Sequence, residues 1–370
     1  MRPAPPVRPA APVRSVPPVR PDLEALVGYH STQVDVEVRL NTNESPLPPP
    51  PEWFEAFRSG LGSIDFNRYP DRDASELRRV VADSHGVRTE QIFCANGSNE
   101  VLQSLLLAYG GPQRTAALFE PTYTLHRHIA RTTGTQVAAG CRTDEFLLDL
   151  DEVKRVIDAY DPVITFLCSP NNPTGRADPI GLVEAVLAMA PGLVVVDEAY
   201  GQFAPSSAVD TVRRGAAGSE RLAVVRTFSK TWSMAGLRLG YLIAAPEVVE
   251  ACEMVALPYH LDAVKQLAGR LAVEFVPEME ARVAMVKEER GRMAAALAAL
   301  PVDTWPSDAN FILFRPTGSD AGAVWADLLE ASVLVRDCSQ WPGLAGCLRV
   351  TVGLPRENDR FLAALTESLR

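Results

Sequence analysis

Apolar and polar positions along this chain follow two rhythms, and the change between them divides it. Short apolar runs at Gln91–Ala95, Thr115–Phe119, Val163–Cys168, Leu193–Val196, Leu222–Thr227 and Leu239–Ala244 have the length and texture of buried strands. Between them, apolar residues recur three and four apart, the spacing of a helix with one buried face. That alternation, from about Leu61 to His260, predicts an α/β unit: a largely parallel sheet with helices on both faces. From Leu261 to Leu300 the pattern is helical and alanine-rich. It then gives strands at Asn310–Arg315, Val333–Arg336 and Leu348–Val352 and a closing helix, which predicts a second, smaller α+β unit. Ahead of both, Val34–Leu40 alternates as a short strand, and the proline-rich stretch Pro46–Pro51 leads into a helix near Glu52. Residues 1–21 repeat a Pro/Val/Arg unit, with Arg2, Arg8, Arg14 and Arg20 evenly spaced, and that many prolines deny a packed core. The expected organisation is a disordered tail at 1–21, an arm at 22–60 contributing to the small domain, a large ligand-binding domain at 61–262 and a small domain at 263–370.

At 370 residues the chain exceeds the roughly 250 that one core fills, so two domains agree with the pattern. Acidic side chains number 46 against 36 basic ones, a formal net charge of −10, so there is no general positive field to hold a phosphodiester backbone. Nucleic acid is therefore not an expected partner, and a small molecule is. No apolar stretch reaches the length of a membrane span, about eighteen residues, and the N-terminus lacks the apolar segment of a secretory signal, so a cytoplasmic protein is expected. The six cysteines show no Cys-x-x-Cys spacing and read as reduced thiols packed in apolar runs. The five histidines form no metal cluster, and His126 with His128 reads as a helix face.

In an open α/β sheet, ligands bind just past the carboxyl ends of the strands, so the residues after each apolar run carry the candidate chemistry. The first run passes through Ala95-Asn96-Gly97-Ser98-Asn99-Glu100 straight into a helix, whose free N–H groups and positive dipole end suit an anion. An ordinary glycine turn with a capping residue is the competing reading. The second run ends Cys168-Ser169-Pro170-Asn171-Asn172-Pro173, and the third ends Val196-Asp197-Glu198-Ala199-Tyr200. Asp197 follows consecutive apolar residues and needs a charged or N–H partner there, either a ligand or the start of the next helix. The fourth run ends Arg226-Thr227-Phe228-Ser229-Lys230, with Arg238 eight residues on. Of the four lysines, only Lys230 stands at a strand end; Lys154, Lys265 and Lys287 lie in helical patterns.

A carbonyl cofactor needs an amine partly neutral near pH 7, and desolvation lowers a lysine toward that range. A pyridinium needs a carboxylate such as Asp197 to stay protonated as an electron sink. A phenolate oxygen needs donors, which Asn172 and Tyr200 offer. A phosphate needs N–H, hydroxyl and guanidinium groups, available from Ser98, Asn99, Ser229 and Arg238. Together these are the atom classes of pyridoxal 5'-phosphate.

The same residues closely resemble the fold-type I, class II aminotransferases, and within them the histidinol-phosphate aminotransferases. The likeness runs through Arg39-Leu40-Asn41-Thr42-Asn43-Glu44-Ser45-Pro46, Asn67-Arg68-Tyr69-Pro70-Asp71, the segments at 95–100 and 169–173, Val196-Asp197-Glu198-Ala199-Tyr200-Gly201, the lysine motif at 226–230, residues 235–241 and 257–261, Ser307-Asp308-Ala309-Asn310-Phe311 and Leu348-Arg349-Val350-Thr351-Val352-Gly353. It leaves out only about the first twenty residues.

The resemblance implies a large domain with a mostly parallel seven-stranded sheet, a smaller α+β domain, and a homodimer with shared active sites. It gives Lys230, Asp197 and Tyr200 catalytic parts, with Lys230 carrying the cofactor as a Schiff base. Tyr69 would reach the neighbouring subunit's cofactor phosphate and Tyr123 would stack on the ring; otherwise Tyr69 belongs to a turn and Tyr123 to the core. Arg349 would grip the donor's acidic group, with Arg336, Tyr29 and Asn43 completing the substrate-binding set. The implied reaction takes histidinol phosphate and 2-oxoglutarate to imidazole-acetol phosphate and glutamate, in histidine biosynthesis. An aromatic or other α-amino-acid aminotransferase would hold a carboxylate on the same Arg349, and a phosphothreonine-type decarboxylase shares fold and cofactor. A transcription regulator would need a winged-helix domain, and only a short proline-rich stretch precedes Asn41. Three segments depart from the family pattern: the entry segment reads Gly28-Tyr29-His30-Ser31-Thr32-Gln33 where many relatives carry a basic residue after the tyrosine, Trp232 stands close after the lysine, and Ser339-Gln340-Trp341-Pro342-Gly343 brings a bulky indole near Arg336 that would narrow or reshape the pocket.

Overall fold

The computed structural model describes residues 16–24, 26–28 and 32–370. Most of the proline-rich tail and Tyr29 lie outside the described residues. The first strand, β1 (Val38–Arg39), belongs to the arm. β2 (Ile92–Ala95), β3 (Thr115–Glu120), β4 (Gln136–Cys141), β5 (Ile164–Cys168), β6 (Leu193–Asp197), β7 (Leu222–Thr227) and β8 (Gly240–Ile243) form a seven-stranded sheet in the order β2-β8-β7-β6-β5-β3-β4. β8 runs against both of its neighbours, while β7, β6, β5, β3 and β4 pair in parallel. The expected α/β fold with a mostly parallel sheet is therefore what the chain forms.

Alternation along each central strand explains why the sheet sits between two cores. Ile92, Val194, Val196 and Val224 face one apolar cluster, and Phe93, Leu193, Val195, Ala223 and Val225 face the other. Every residue of β5, β6 and β7 is buried, so the β-branched runs that looked like strands need helices on both sides. The helix Ser98–Tyr109 covers one face through Val101, Leu102, Leu105 and Leu106, and Leu150–Tyr160 covers the other through Val153, Val156 and Ile157. Burial of each such side chain contributes about 1.5–3 kcal/mol.

The C-terminal part holds β9 (Val302–Thr304), β10 (Phe311–Pro316), β11 (Val333–Leu334), β12 (Arg336–Asp337) and β13 (Leu348–Thr351). β12, β13, β10 and β9 make an antiparallel sheet in that order, while β11 pairs in parallel with β1 of the arm. The long helices Ala263–Ala272 and Val276–Leu297 connect this part to the large sheet, and Pro355–Ser368 closes the chain.

Several expectations need correction. The strand read across Val34–Leu40 is only Val38–Arg39, because its hydrogen-bonding partner, β11, is itself two residues long. The strand read across Val333–Arg336 is broken at Val335 and serves two different sheets. β4 and β9 carried no strand signal: both are edge strands without a continuous apolar run, β4 pairing only with β3 and β9 only with β10.

Candidate active site

A cavity of about 320 Å³ opens at the carboxyl ends of β5, β6 and β7, where the small sheet leans over the large one. Its wall includes Asn43, Ser98, Asn99, Tyr123, Asn172, Asp197, Tyr200, Ser229, Lys230, Arg238, Arg336 and Arg349. Twelve of the fourteen residues singled out from the sequence thus meet in one place. Tyr69 is not among them: it is 79% exposed and stacks on Tyr259 with ring centroids 4.4 Å apart.

Lys230 leaves β7 after a short turn and is only partly exposed. Its Nζ donates to the backbone carbonyl of Thr42 at 3.0 Å and lies 5.8 Å from the centre of the Tyr200 ring. Burial, and next the positive charge of Arg349, pull its pKa down to about 8; Arg238 adds to this and Glu44 opposes it. A larger minority of such an amine is neutral near physiological pH than of an ordinary lysine, and the neutral form is what attack on a carbonyl requires.

Asp197 closes β6 with 2% of its surface exposed. One carboxylate oxygen, Oδ1, accepts from the Ala199 backbone N–H at 3.1 Å, so Asp197 does brace the turn that follows it. The other, Oδ2, meets His126 Nε2 at 3.0 Å. His126 is fully buried, stacks on Phe166 of β5 and meets the Tyr123 ring edge-on. His126 does lie on a helix, as read from the sequence, and the helix Thr124–Thr132 lays that side chain onto the sheet while His128 is only partly buried.

Asn172 rides on a loop braced by its neighbour. Asn171 Nδ2 donates to the Pro121 carbonyl at 3.0 Å and to Thr174 Oγ1 at 2.8 Å, while its Oδ1 accepts from Thr122 Oγ1 at 3.0 Å. Beneath, Arg142 forms a fully buried ion pair with Asp178 at 3.0 Å. Asn172 Oδ1 accepts from Arg349, whose other terminal nitrogen donates to the Asn41 carbonyl at 2.9 Å. Tyr200 OH accepts from Asn43 Nδ2 at 2.9 Å, and burial raises its phenol above the ordinary value, so it stays a neutral O–H donor.

At the other end, the helix Ser98–Tyr109 points its first N–H groups into the cavity beside Ser229 and Arg238. Arg238 Nη1 donates to Ser229 Oγ at 3.3 Å, and the Ser229 N–H is held by Thr227 Oγ1 at 3.1 Å. Gly97, at φ +87°, makes room: a Cβ there would stand 2.8 Å from the Arg238 guanidinium. Helix terminus, hydroxyl and guanidinium together make a seat for an anion.

Thr42, Asn41 and Glu44 were missed as individual contributors because Thr42 and Asn41 act through backbone carbonyls, which no side-chain pattern announces. Trp341 does stand beside Arg336, its ring centre 6.0 Å from the guanidinium carbon. Trp232 is buried against Phe228 and lies off the cavity wall. Among the described residues no group of His, Cys, Asp and Glu could hold a metal, all six cysteines are free, and no helix is long and apolar enough to cross a membrane. The donor set fits pyridoxal phosphate in kind: a depressed amine, a braced carboxylate, neutral donors, an aromatic wall in Tyr123 and an anion seat.

Residues 35–365 match the family described as aminotransferase class I and II. A histidinol-phosphate aminotransferase of Frankia casuarinae is 46% identical over 362 residues, covering 95% of this chain and 90% of that one. Another, of Thermobifida fusca, is 43% identical over 355 residues, with 94% of each chain covered. The crystal structure of histidinol-phosphate aminotransferase from Sinorhizobium meliloti in complex with pyridoxal-5'-phosphate shares the fold at a TM-score of 0.80 and 22% identity, over 90% of this chain and 91% of that one.

Proposed function

The chain belongs to the class I and II aminotransferases, and from that premise we propose that it moves an amino group between histidinol phosphate and 2-oxoglutarate, in the cytoplasm, as a step of histidine synthesis. Pyridoxal phosphate, when bound, supplies the electron sink for the carbon that gives up its amine. Lys230 is the amine that holds it through its aldehyde. With the cofactor bound, the Lys230 Nζ would also be the base placed to take and return the proton at the donor's amino carbon. Asp197, braced by His126, keeps the ring nitrogen protonated. Asn172 has Oδ1 engaged by Arg349, which leaves Nδ2 to donate to the ring oxygen; Tyr200, accepting from Asn43, directs its own O–H there too. Tyr123 covers the ring face, and Ser98, Asn99, Ser229 and Arg238 hold the phosphate. Tyr69 reaches this phosphate from a second subunit, for which its exposure in one chain argues.

One observation carries the choice of donor. Arg336 of β12 and Arg349 of β13 are direct cross-strand partners, and both line the cavity. Like charges directly opposite on a sheet destabilise it, and an anion between them removes the penalty. Two guanidiniums suit the dianion of a phosphate ester better than a single carboxylate. Relatives 43% and 46% identical, matched over most of their length, carry the corresponding name.

The deciding experiment measures kcat/KM for histidinol phosphate against phenylalanine with 2-oxoglutarate as acceptor, in the unaltered protein and in Lys230→Ala. Preference for histidinol phosphate by at least about tenfold is expected, together with loss of turnover and of the cofactor's visible absorbance in Lys230→Ala. Preference for phenylalanine would make this an aromatic aminotransferase. Retained turnover in Lys230→Ala would end the proposal.

A further inference from the structure

Tyr200 enters the cavity with a hydrogen bond whose direction is set elsewhere. Its ring is held edge-on against Phe311 of β10, with centroids 5.1 Å apart. Its oxygen accepts from Asn43 Nδ2 at 2.9 Å, and among the described residues its own proton has no acceptor. That proton is available to a ligand as long as the Asn43 amide keeps its nitrogen toward the phenol. Turned over, the amide would present Oδ1 and take the proton for itself.

A hydroxyl on the small sheet fixes the amide. Thr351 closes β13 opposite Phe311, and its N–H donates to the Leu40 carbonyl of the arm at 2.8 Å. Thr351 Oγ1 accepts from the Asn43 backbone N–H at 3.0 Å and donates its one proton to Asn43 Oδ1 at 3.1 Å. With the amide inverted, Oγ1 would accept twice and the Thr351 proton would have no acceptor among the described residues, although Thr351, Asn43 and Tyr200 are all buried. Asn43 itself is held in place: Asn310 Nδ2 donates to its carbonyl at 3.1 Å, and its backbone sits at φ +54°, a left-handed conformation that asparagine tolerates better than most residues. The donors therefore run one way, from the Asn43 N–H through the Thr351 hydroxyl and the Asn43 amide to the phenol, each bond polarising the next.

We propose that Thr351 is a positioning residue for the transamination: by fixing the Asn43 amide it obliges Tyr200 to give its proton to the cofactor's ring oxygen. Thr351 is not part of the cavity wall and acts through two other side chains. The inference rests on the contact between Tyr200 and the ring oxygen assigned above and adds the residue that sets its direction. A donor on that oxygen draws on its electrons and weakens its hold on the proton of the neighbouring Lys230 nitrogen. The pH at which the bound cofactor changes colour thus reports the bond, and losing the bond raises it. The other ionisable groups facing the phenol are Arg349 of β13, Asp197 at the end of β6, Cys168 at the end of β5 and Lys230 itself, and none of them is exchanged in the test.

The experiment follows the visible absorbance of the holoenzyme against pH in the unaltered protein, in Tyr200→Phe, in Thr351→Val, in Thr351→Ser and in Thr351→Val combined with Tyr200→Phe. Valine keeps the shape of threonine without its hydroxyl, and serine keeps the hydroxyl. Tyr200→Phe should raise the midpoint by about one pH unit, the scale of one hydrogen bond. Thr351→Val should raise it by about half as much, since the phenol loses its enforced direction and the polarisation behind it. Thr351→Ser should leave the midpoint where it was, and Thr351→Val should add nothing once Tyr200→Phe is in place. Should the valine variant fail to fold, Thr351→Cys decides in its place, its weakly donating thiol giving a smaller rise of the same sign. No rise in the variant lacking the hydroxyl, an equal rise in Thr351→Ser, or a rise that persists in full after Tyr200→Phe overturns the inference while the Tyr200 contact stands. If Tyr200→Phe itself leaves the midpoint in place, that contact falls and the inference with it.

Discussion

Lys230 sits where an ammonium ion is poorly solvated, and the sign of the resulting shift has two measurable effects. With its pKa near 8, the amine becomes mostly neutral above that pH. Cofactor-free protein should therefore capture pyridoxal phosphate at a rate that climbs as pH rises through about 8 and then levels, followed by stopped-flow absorbance; a flat profile would contradict the depressed amine. The folded value lies below the unfolded one of about 10.4, so the folded state binds fewer protons between these two values. Stability of the cofactor-free protein should rise with pH across that window, the cost being fully present below pH 8. Lys230→Met should accordingly be more stable in urea at pH 7, by up to about 3 kcal/mol, and lose that advantage by about pH 10.5. Lys230, Asp197, Asn172 and Arg238 were legible because strand ends are where an α/β sheet presents polar groups. His126 was not, since its burial depends on which face of its helix meets β5, and a His-x-His pattern carries no trace of that.

The central strands were legible because β5, β6 and β7 are buried on both faces and must be apolar throughout. Edge strands escape such reading: β4 alternates with exposed positions, and β9 is three residues long. Glycine at Gly240 marks a contact between elements. A Cβ there would stand 2.3 Å from the Ser98 backbone nitrogen, and neither β8 nor the start of the helix Ser98–Tyr109 has a flexible end that can yield. Gly240→Ala should push these two elements apart at the anion seat. Affinity for pyridoxal phosphate, read by absorbance titration, should weaken by at least about tenfold, the scale of losing one charge-assisted hydrogen bond. Unchanged affinity would mean that the helix terminus does not hold the phosphate.

At the scale of the whole molecule, Phe66, Tyr69, Met254 and Leu257 are each more than 70% exposed, large apolar side chains left on one chain's surface. A homodimer sharing Tyr69 across its interface, as proposed above, would account for them, and the proposal has a sharp test. Lys230→Ala and Tyr69→Ala proteins, each weak alone, should recover about a quarter of normal activity when mixed and allowed to exchange subunits, because half of the dimers are hybrids and each hybrid rebuilds one complete site. No recovery, with exchange verified by mass, would keep Tyr69 out of its neighbour's site. The exposed aromatics could be seen in the sequence only through likeness to a family, since exposure is a property of the fold. Arg349, finally, fastens three remote stretches of chain: the arm at Asn41, the large sheet's loop at Asn172 and its own strand in the small sheet. It works like the pin of a pair of tongs. A guest that draws on this guanidinium competes with both of those contacts at once, so binding at this one side chain bears directly on the arm and on the large sheet's loop.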